Sequence, residues 1–264
     1  MTKQIGGFPG YDNNFVSLEP ISHTYADTNG EAYESVSHFI GRFTEPFNGD
    51  MIAARCAGKG KYMGMTKAQV LQAWEDNKNE AIDHGNRLHD ALEMFEKTTI
   101  IDPKNEDLRP FIMAIMKYYE GYYRSYPETL FYSEKYKLSG TADKPMARTS
   151  SKKSIIDIDD YKTNLSKGIE YESPYGKFML GPLSHLEDCN YNKYSLQLSI
   201  YSYLLEQLTG RKIGKLNIMY IPADDFLSFR RIPTPYLKYE VMQMLEARTE
   251  MLRKEKHNYN LTEV

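Results

Sequence analysis

The chain of 264 residues carries 41% hydrophobic and 26% charged side chains and a formal net charge of −3. Those values suit a soluble globular protein built as one large domain or two small ones. Apolar runs such as 111–116 fall far short of the roughly 20 residues that a membrane span needs, and the N-terminus lacks a basic-then-apolar secretory pattern, so a cytoplasmic protein is expected. The two cysteines, Cys56 and Cys189, have neither the number nor the spacing for a disulfide framework, a zinc knuckle or a four-cysteine iron–sulfur cluster. Bulk charge does not point to nucleic acid, yet an acidic active site beside a local basic stripe is compatible with such a partner. The 22 tyrosines are read first as packing residues and only second as stacking platforms.

In chain order, residues 1–20 read as an irregular arm, broken by Gly6-Gly7, Pro9-Gly10 and Asn13-Asn14. His23-Thr24-Tyr25 and the segment from Ala32 to Val36 read as short strands around a turn at Thr28-Asn29-Gly30. Ser37 is placed to cap a short helix through Arg42. The stretch from Gly58 to Gly64 reads as a loop exposing Lys59, Lys61 and Tyr62. Thr66 then caps a helix through Trp74, and a longer helix spans about Glu75 to Lys97, with Ala81, Leu88, Ala91, Leu92 and Phe95 on its apolar face. Another helix starts at Pro110 and ends before Pro127, its inner face running from Phe111 to Tyr123.

Three β segments follow, at 129–138, 139–147 and 153–162, the last two joined as a hairpin around 148–152. A long polar connection, 163–192, has the length of a binding loop or lid. A helix over 193–208 is ended by Gly210, strands at 216–221 and 226–232 are joined by Pro222-Ala223-Asp224-Asp225, and a last helix runs from Pro235 to about Lys256. The order implies a mixed α/β core with a helical N-terminal lobe, divided at residues 1–127 and 128–264.

Four short motifs carry chemistry. Side chains alternate along a strand, so Ile156, Ile158, Asp160 and Lys162 share one face, while Asp157, Asp159 and Tyr161 share the other. A carboxylate and an ammonium two residues apart can reach one small site that holds a hard divalent cation and a phosphate. Asp143, after Gly140-Thr141-Ala142, is a second carboxylate from the neighbouring strand, and the small residues before it let another element approach. His89 lies four residues after Gly85 on a helix face that Glu93 continues. Gln197 and Tyr201 also share a helical face and offer an amide and a hydroxyl. Each motif alone has an ordinary structural explanation: a solvated strand end, a turn, a structural histidine, a core tyrosine. The ordered set is what points to a metal and a phosphodiester.

Gly-x-x-x-His, Gly-x-x-Asp, Asp-x-Lys and Gln-x-x-x-Tyr in this order resemble the PD-(D/E)XK nuclease superfamily, in its RecB-like and phage-exonuclease branch, over roughly residues 70–232. The resemblance implies a restriction-endonuclease-like mixed central sheet flanked by helices. It implies that His89, Asp143, Asp160 and the backbone carbonyl of Tyr161 ligate Mg²⁺, with Mn²⁺ as a substitute and no iron–sulfur cluster. It also implies that Lys162 orients the attacking water and stabilises the phosphate, and that Gln197 and Tyr201 organise the site. Glu93 and Glu134 are further acids of open role. The implied activity is metal-dependent DNA hydrolysis, as an exonuclease acting on free ends or single-stranded DNA in phage or bacterial replication, recombination or repair, alongside other proteins of those processes. No proline precedes Asp143 and the cluster-binding cysteines of some relatives are missing. The competing reading is a catalytically silent nucleic-acid-binding protein with the same fold.

Overall fold

In the computed structural model, which describes residues 14–19, 22, 24–120, 123–148, 155–164 and 168–262, three short strands come first. These are β1 (Val16–Glu19), β2 (Thr24–Asp27) and β3 (Ala32–Ser35), followed by helices α1 (Val36–Gly41), α2 (Gly49–Cys56), α3 (Lys67–Thr98) and α4 (Arg109–Tyr119). Five strands succeed them: β4 (Tyr123–Ser125), β5 (Thr129–Ser133), β6 (Leu138–Ala142), β7 (Lys144–Arg148) and β8 (Ile155–Asn164). The chain closes with α5 (Asn190–Thr209), β9 (Lys212–Pro222), β10 (Arg230–Thr234) and α6 (Lys238–Thr262).

The strands form two five-stranded sheets, ordered β1-β2-β3-β6-β5 and β10-β9-β8-β7-β4. In the second sheet β8 and β9 are parallel, which requires a crossover, and α5 supplies it. Helices cover both faces. Ile156, Ile158, Leu216 and Ile218 pack with α1, α5 and α6 on one side, whereas Met146, Tyr161, Met219 and Ile221 pack with α3 and α4 on the other. The alternation along β8 and β9 is the period of two that the sequence shows. The mixed α/β architecture is therefore as expected, and strands from both sides of residue 127 contribute to each sheet.

Several local expectations change. Val16–Glu19 is a strand, not part of an irregular arm, because Val16 and Leu18 bury one face against the N-terminal sheet. Ser35, not Ser37, caps α1 by accepting the His38 N–H. Lys67–Thr98 makes one helix instead of two. A capping box fixes its start, with Thr66 Oγ1 accepting the Gln69 N–H and Gln69 Oε1 accepting the Thr66 N–H, and left-handed Thr99 ends it. Its middle is mostly exposed and has no core-facing stripe, so apolar periodicity does not reveal the continuity. Tyr123 lies in β4, after α4 has ended.

Residues 139–147 are not one strand. The chain breaks at Asp143 and passes from the first sheet to the second, so β6 and β7 belong to different sheets. Residues 226–228 form a 3-10 turn, leaving β10 to begin at Arg230. The connection after β8 includes a 3-10 turn at Gly181–Leu183 with buried Met179 and Leu183 beside it. His23, Lys153, Lys167 and the tip of the 148–152 turn lie outside the described residues, as does most of the 1–20 arm.

Candidate metal centre

Asp143 occupies the corner between the two sheets. Its Oδ2 accepts the backbone N–H of Tyr161 at 2.6 Å, and its Oδ1 lies 3.4 Å from Nδ1 of His89. His89 comes from α3 and meets the Tyr161 ring edge-on, with centroids 5.8 Å apart. One turn further on, Glu93 pairs with Lys97 at 2.6 Å, and Glu96 forms a buried ion pair with Lys144 at 2.6 Å. Lys144 follows Asp143 directly, so the Glu96 contact ties α3 to the strand whose start presents Asp143. Glu96 also accepts the Ser125 hydroxyl at 2.7 Å.

Glu128 joins His89 and Asp143, and ligand atoms of all three lie within 4.8 Å of one another. No motif marks this residue. It sits in the turn after Pro127 with φ 52, and its N–H donates to the Asp143 carbonyl at 2.9 Å. A left-handed backbone costs a non-glycine residue about 1 kcal/mol and persists where surrounding contacts fix it. Only the dipeptide Pro127-Glu128 hints at a turn in the sequence, and a turn does not reveal that its carboxylate folds back on Asp143.

Asp160 and Lys162 share the face assigned to them, with Nζ of Lys162 2.5 Å from Oδ2 of Asp160. Lys162 also lies over the Tyr194 ring, 4.9 Å from its centroid. Asp160 is 1% exposed and its Oδ1 has no hydrogen-bond partner among the described residues. Buried carboxylate oxygens are normally satisfied, so this one has an acceptor site to offer a proton, a water or a cation. Asp159 is committed elsewhere: it accepts Tyr119 Oη at 2.7 Å and Asn217 Nδ2 at 2.7 Å, and it pairs with Arg231 at 2.8 Å.

The glycine motifs divide. A Cβ on Gly140 would lie 2.6 Å from Cε1 of Tyr201, so the glycine is what admits this tyrosine, and two distant motifs meet in one contact. Tyr201 Oη accepts Gln197 Nε2 at 2.9 Å. A Cβ on Gly85 would meet only Oγ1 of Thr163 at an ordinary 3.6 Å, so close helix packing is not what this glycine serves. Glu134 lies beyond the end of β5 as an exposed turn residue.

Electrostatics couple the cluster. Burial alone would push the His89 imidazole down, but the Asp143 carboxylate beside it prevails and lifts it to about 9. Burial would raise Asp143, yet His89, then Lys162 and the Tyr161 N–H, hold it below its ordinary value. Asp160 is pushed up to about 6 by burial and by the Asp143 charge, against the pull of Lys162. Burial would lower Lys162, but Asp160 and Asp143 outweigh it, so its ammonium is held protonated more firmly than usual. Burial, followed by the charge of Asp160, raises the Tyr201 hydroxyl well above the ordinary phenol range.

The His89 imidazole and the Glu128 and Asp143 carboxylates make a hard, oxygen-rich donor set, to which the expected ligand Asp160 does not belong. It fits a divalent cation of the Mg²⁺ or Mn²⁺ type. Among the described residues no helix is long and apolar enough to cross a membrane.

No protein-family model matches the chain, and no curated protein matches it. A solved structure of a protein from Eubacterium rectale, named as an exonuclease, is similar to it with 14% identity and a TM-score of 0.37. The alignment covers 84% of this chain and 79% of that one. A likeness this distant specifies no chemistry for the present chain, whose site has to speak through its own residues.

Proposed function

We propose that this chain is a metal-dependent deoxyribonuclease of the PD-(D/E)XK superfamily, in its RecB-like and phage-exonuclease branch. It hydrolyses phosphodiester bonds at free DNA ends in phage or bacterial replication, recombination or repair. The observation that carries the reading is the pairing of buried Asp160, with its bare carboxylate oxygen, and half-buried Lys162, electrostatically coupled to the His89, Glu128 and Asp143 cluster. His89, Glu128 and Asp143 would hold the cation, with Asp160 and the Tyr161 carbonyl as the further ligands the motifs imply. Mg²⁺, or Mn²⁺ in its place, supplies Lewis acidity to the phosphate and makes water a stronger nucleophile at neutral pH.

Lys162 acts as a fixed positive charge. Asp160 and Asp143 keep it protonated, so it donates to a phosphate oxygen as negative charge builds there and does not accept the proton of water. Tyr201 and Gln197 hold the α5 side of the site against Gly140. The presence of every charged member of the set counts against the catalytically silent alternative. The test is cleavage of end-labelled linear and circular DNA, single- and double-stranded, in Mg²⁺ or EDTA. Wild type should cut linear DNA only with metal and spare circles, and Lys162→Ala should be slower by about 10²-fold or more. Equal cleavage by the variant, or cleavage in EDTA, would contradict the assignment.

A further inference from the structure

Far along α3 from His89, the hairpin of α2 and the first half of α3 bears a patch that the catalytic centre does not use. Phe47 is 71% exposed and its ring lies 5.8 Å from that of Trp74. Tyr62 meets Trp74 at 6.1 Å and accepts its indole N–H at 2.6 Å. Met63, next to Tyr62, is 74% exposed. Phe47 and Met63 are open to solvent, with the half-buried Tyr62 and Trp74 rings beside them. From Glu45 to Lys78 the sequence has five cations, Arg55, Lys59, Lys61, Lys67 and Lys78, and four acids, Glu45, Asp50, Glu75 and Asp76, of which the first three are each paired with a lysine. Lys67 pairs with Asp50, whereas Lys59 and Lys61 have no ion-pair partner among the described residues, and Lys61 lies 5.0 Å over the Tyr62 ring.

We infer that this aromatic and basic hairpin is a stacking platform for single-stranded DNA, reached by the strand whose end lies at the metal centre. The inference deepens the nuclease reading and rests on it for the choice of DNA. Rings alternating with cations are what unpaired nucleotides require, because bases stack on any flat ring while phosphates need positive charge. A duplex keeps its bases inside the stack and offers such rings nothing. The path is built into α3. At 3.6 residues per turn, Trp74, Lys78, Ile82 and His89 lie along one side of the helix, and Ile82 is exposed, so that face leads from the patch to the site. The separation of fifteen residues corresponds to about 22 Å, within the span of a strand of several nucleotides.

Trp74 is the chain's single tryptophan, so its emission reports this patch alone. The experiment titrates the full chain with oligothymidylates of about 4 and about 16 nucleotides, the range a single-strand site covers. Wild type in EDTA leaves the strand uncut, and Lys162→Ala in Mg²⁺ cuts it about 10²-fold more slowly, or slower still, which keeps it whole over the titration. The longer strand should quench Trp74 and the shorter one should not. Phe47→Ala and Lys61→Glu, both at exposed positions, should weaken that binding about fivefold or more with an unchanged circular dichroism spectrum. Binding should also weaken as salt is raised. No quenching, equal quenching by the short strand or by a blunt duplex, or unaltered affinity in both variants would overturn the platform. Metal-dependent cleavage without a Trp74 response would sink the platform alone, whereas a Trp74 response without cleavage under any condition would sink the nuclease reading and keep the platform.

Discussion

The two faces of β8 carry the same residue type to opposite ends. On the face toward α3 and α4, Asp157 receives Arg148 at 2.7 Å and the Lys215 N–H at 2.6 Å, and Asp159 receives Tyr119, Asn217 and Arg231. On the other face Asp160 has one lysine and a bare oxygen. All three carboxylates are buried within one strand. A buried carboxylate with its acceptor sites filled braces the scaffold, whereas one left short beside another acid has an acceptor site to spare. The contrast separates architecture from chemistry more sharply than burial or charge does.

The largest effect should come from exchanging these fates. Asp159→Ala removes the carboxylate that Arg231, Tyr119 and Asn217 share, and breaking a buried pair in this way costs about 3–5 kcal/mol, readable as a loss in urea unfolding. Asp160→Asn removes a charge that burial and Asp143 already disfavour, so its stability should stay within about 1 kcal/mol of wild type. Its cleavage rate should nonetheless drop about 10²-fold or more. Similar stability losses in the two variants would erase the distinction between the faces.

Much of this contrast is legible in the sequence. Period-two alternation pairs Asp160 with Lys162 and puts Asp159 on the other face, and the ordered set of motifs, with the family it resembles, singles out Asp143, His89, Gln197 and Tyr201. Other parts depend on long-range geometry that no local pattern encodes. That Gly140 is a seat for Tyr201 requires α5 to be laid over β6. The switch of sheets at Asp143 looks like a continuous strand, since a single residue separates β6 from β7. Glu128 enters the cluster only because its backbone turns left-handed, and the long α3 escapes detection where its exposed middle lacks an apolar stripe.

A smaller effect sharpens the role of Glu128. Replacing it by Gln keeps the shape of the turn and removes one charge from the cluster, so metal affinity should fall about 10-fold to 100-fold by calorimetry while the fold is retained. Unchanged affinity would place Glu128 with the satisfied scaffold acids.

The mildest effect is on pH. His89 rises from 6.5 to about 9 in the metal-free fold, so its pairing with Asp143 stabilises fully below about 6.5 and is lost as pH climbs through about 9. A cation competes with the same proton, so metal affinity should increase up to about tenfold per pH unit across that window. Melting temperatures across it should therefore decline in EDTA and hold in Mg²⁺. Parallel declines in both would mean that His89 does not exchange a proton for the metal.

The most direct measurement is the anomalous scattering of a crystal soaked in Mn²⁺. A peak bounded by His89, Glu128 and Asp143, on the Asp160 side of β8, is the expected result. A peak at another place, or none in crystals of a protein that binds Mn²⁺ in solution, would contradict the assignment of this corner as the metal centre.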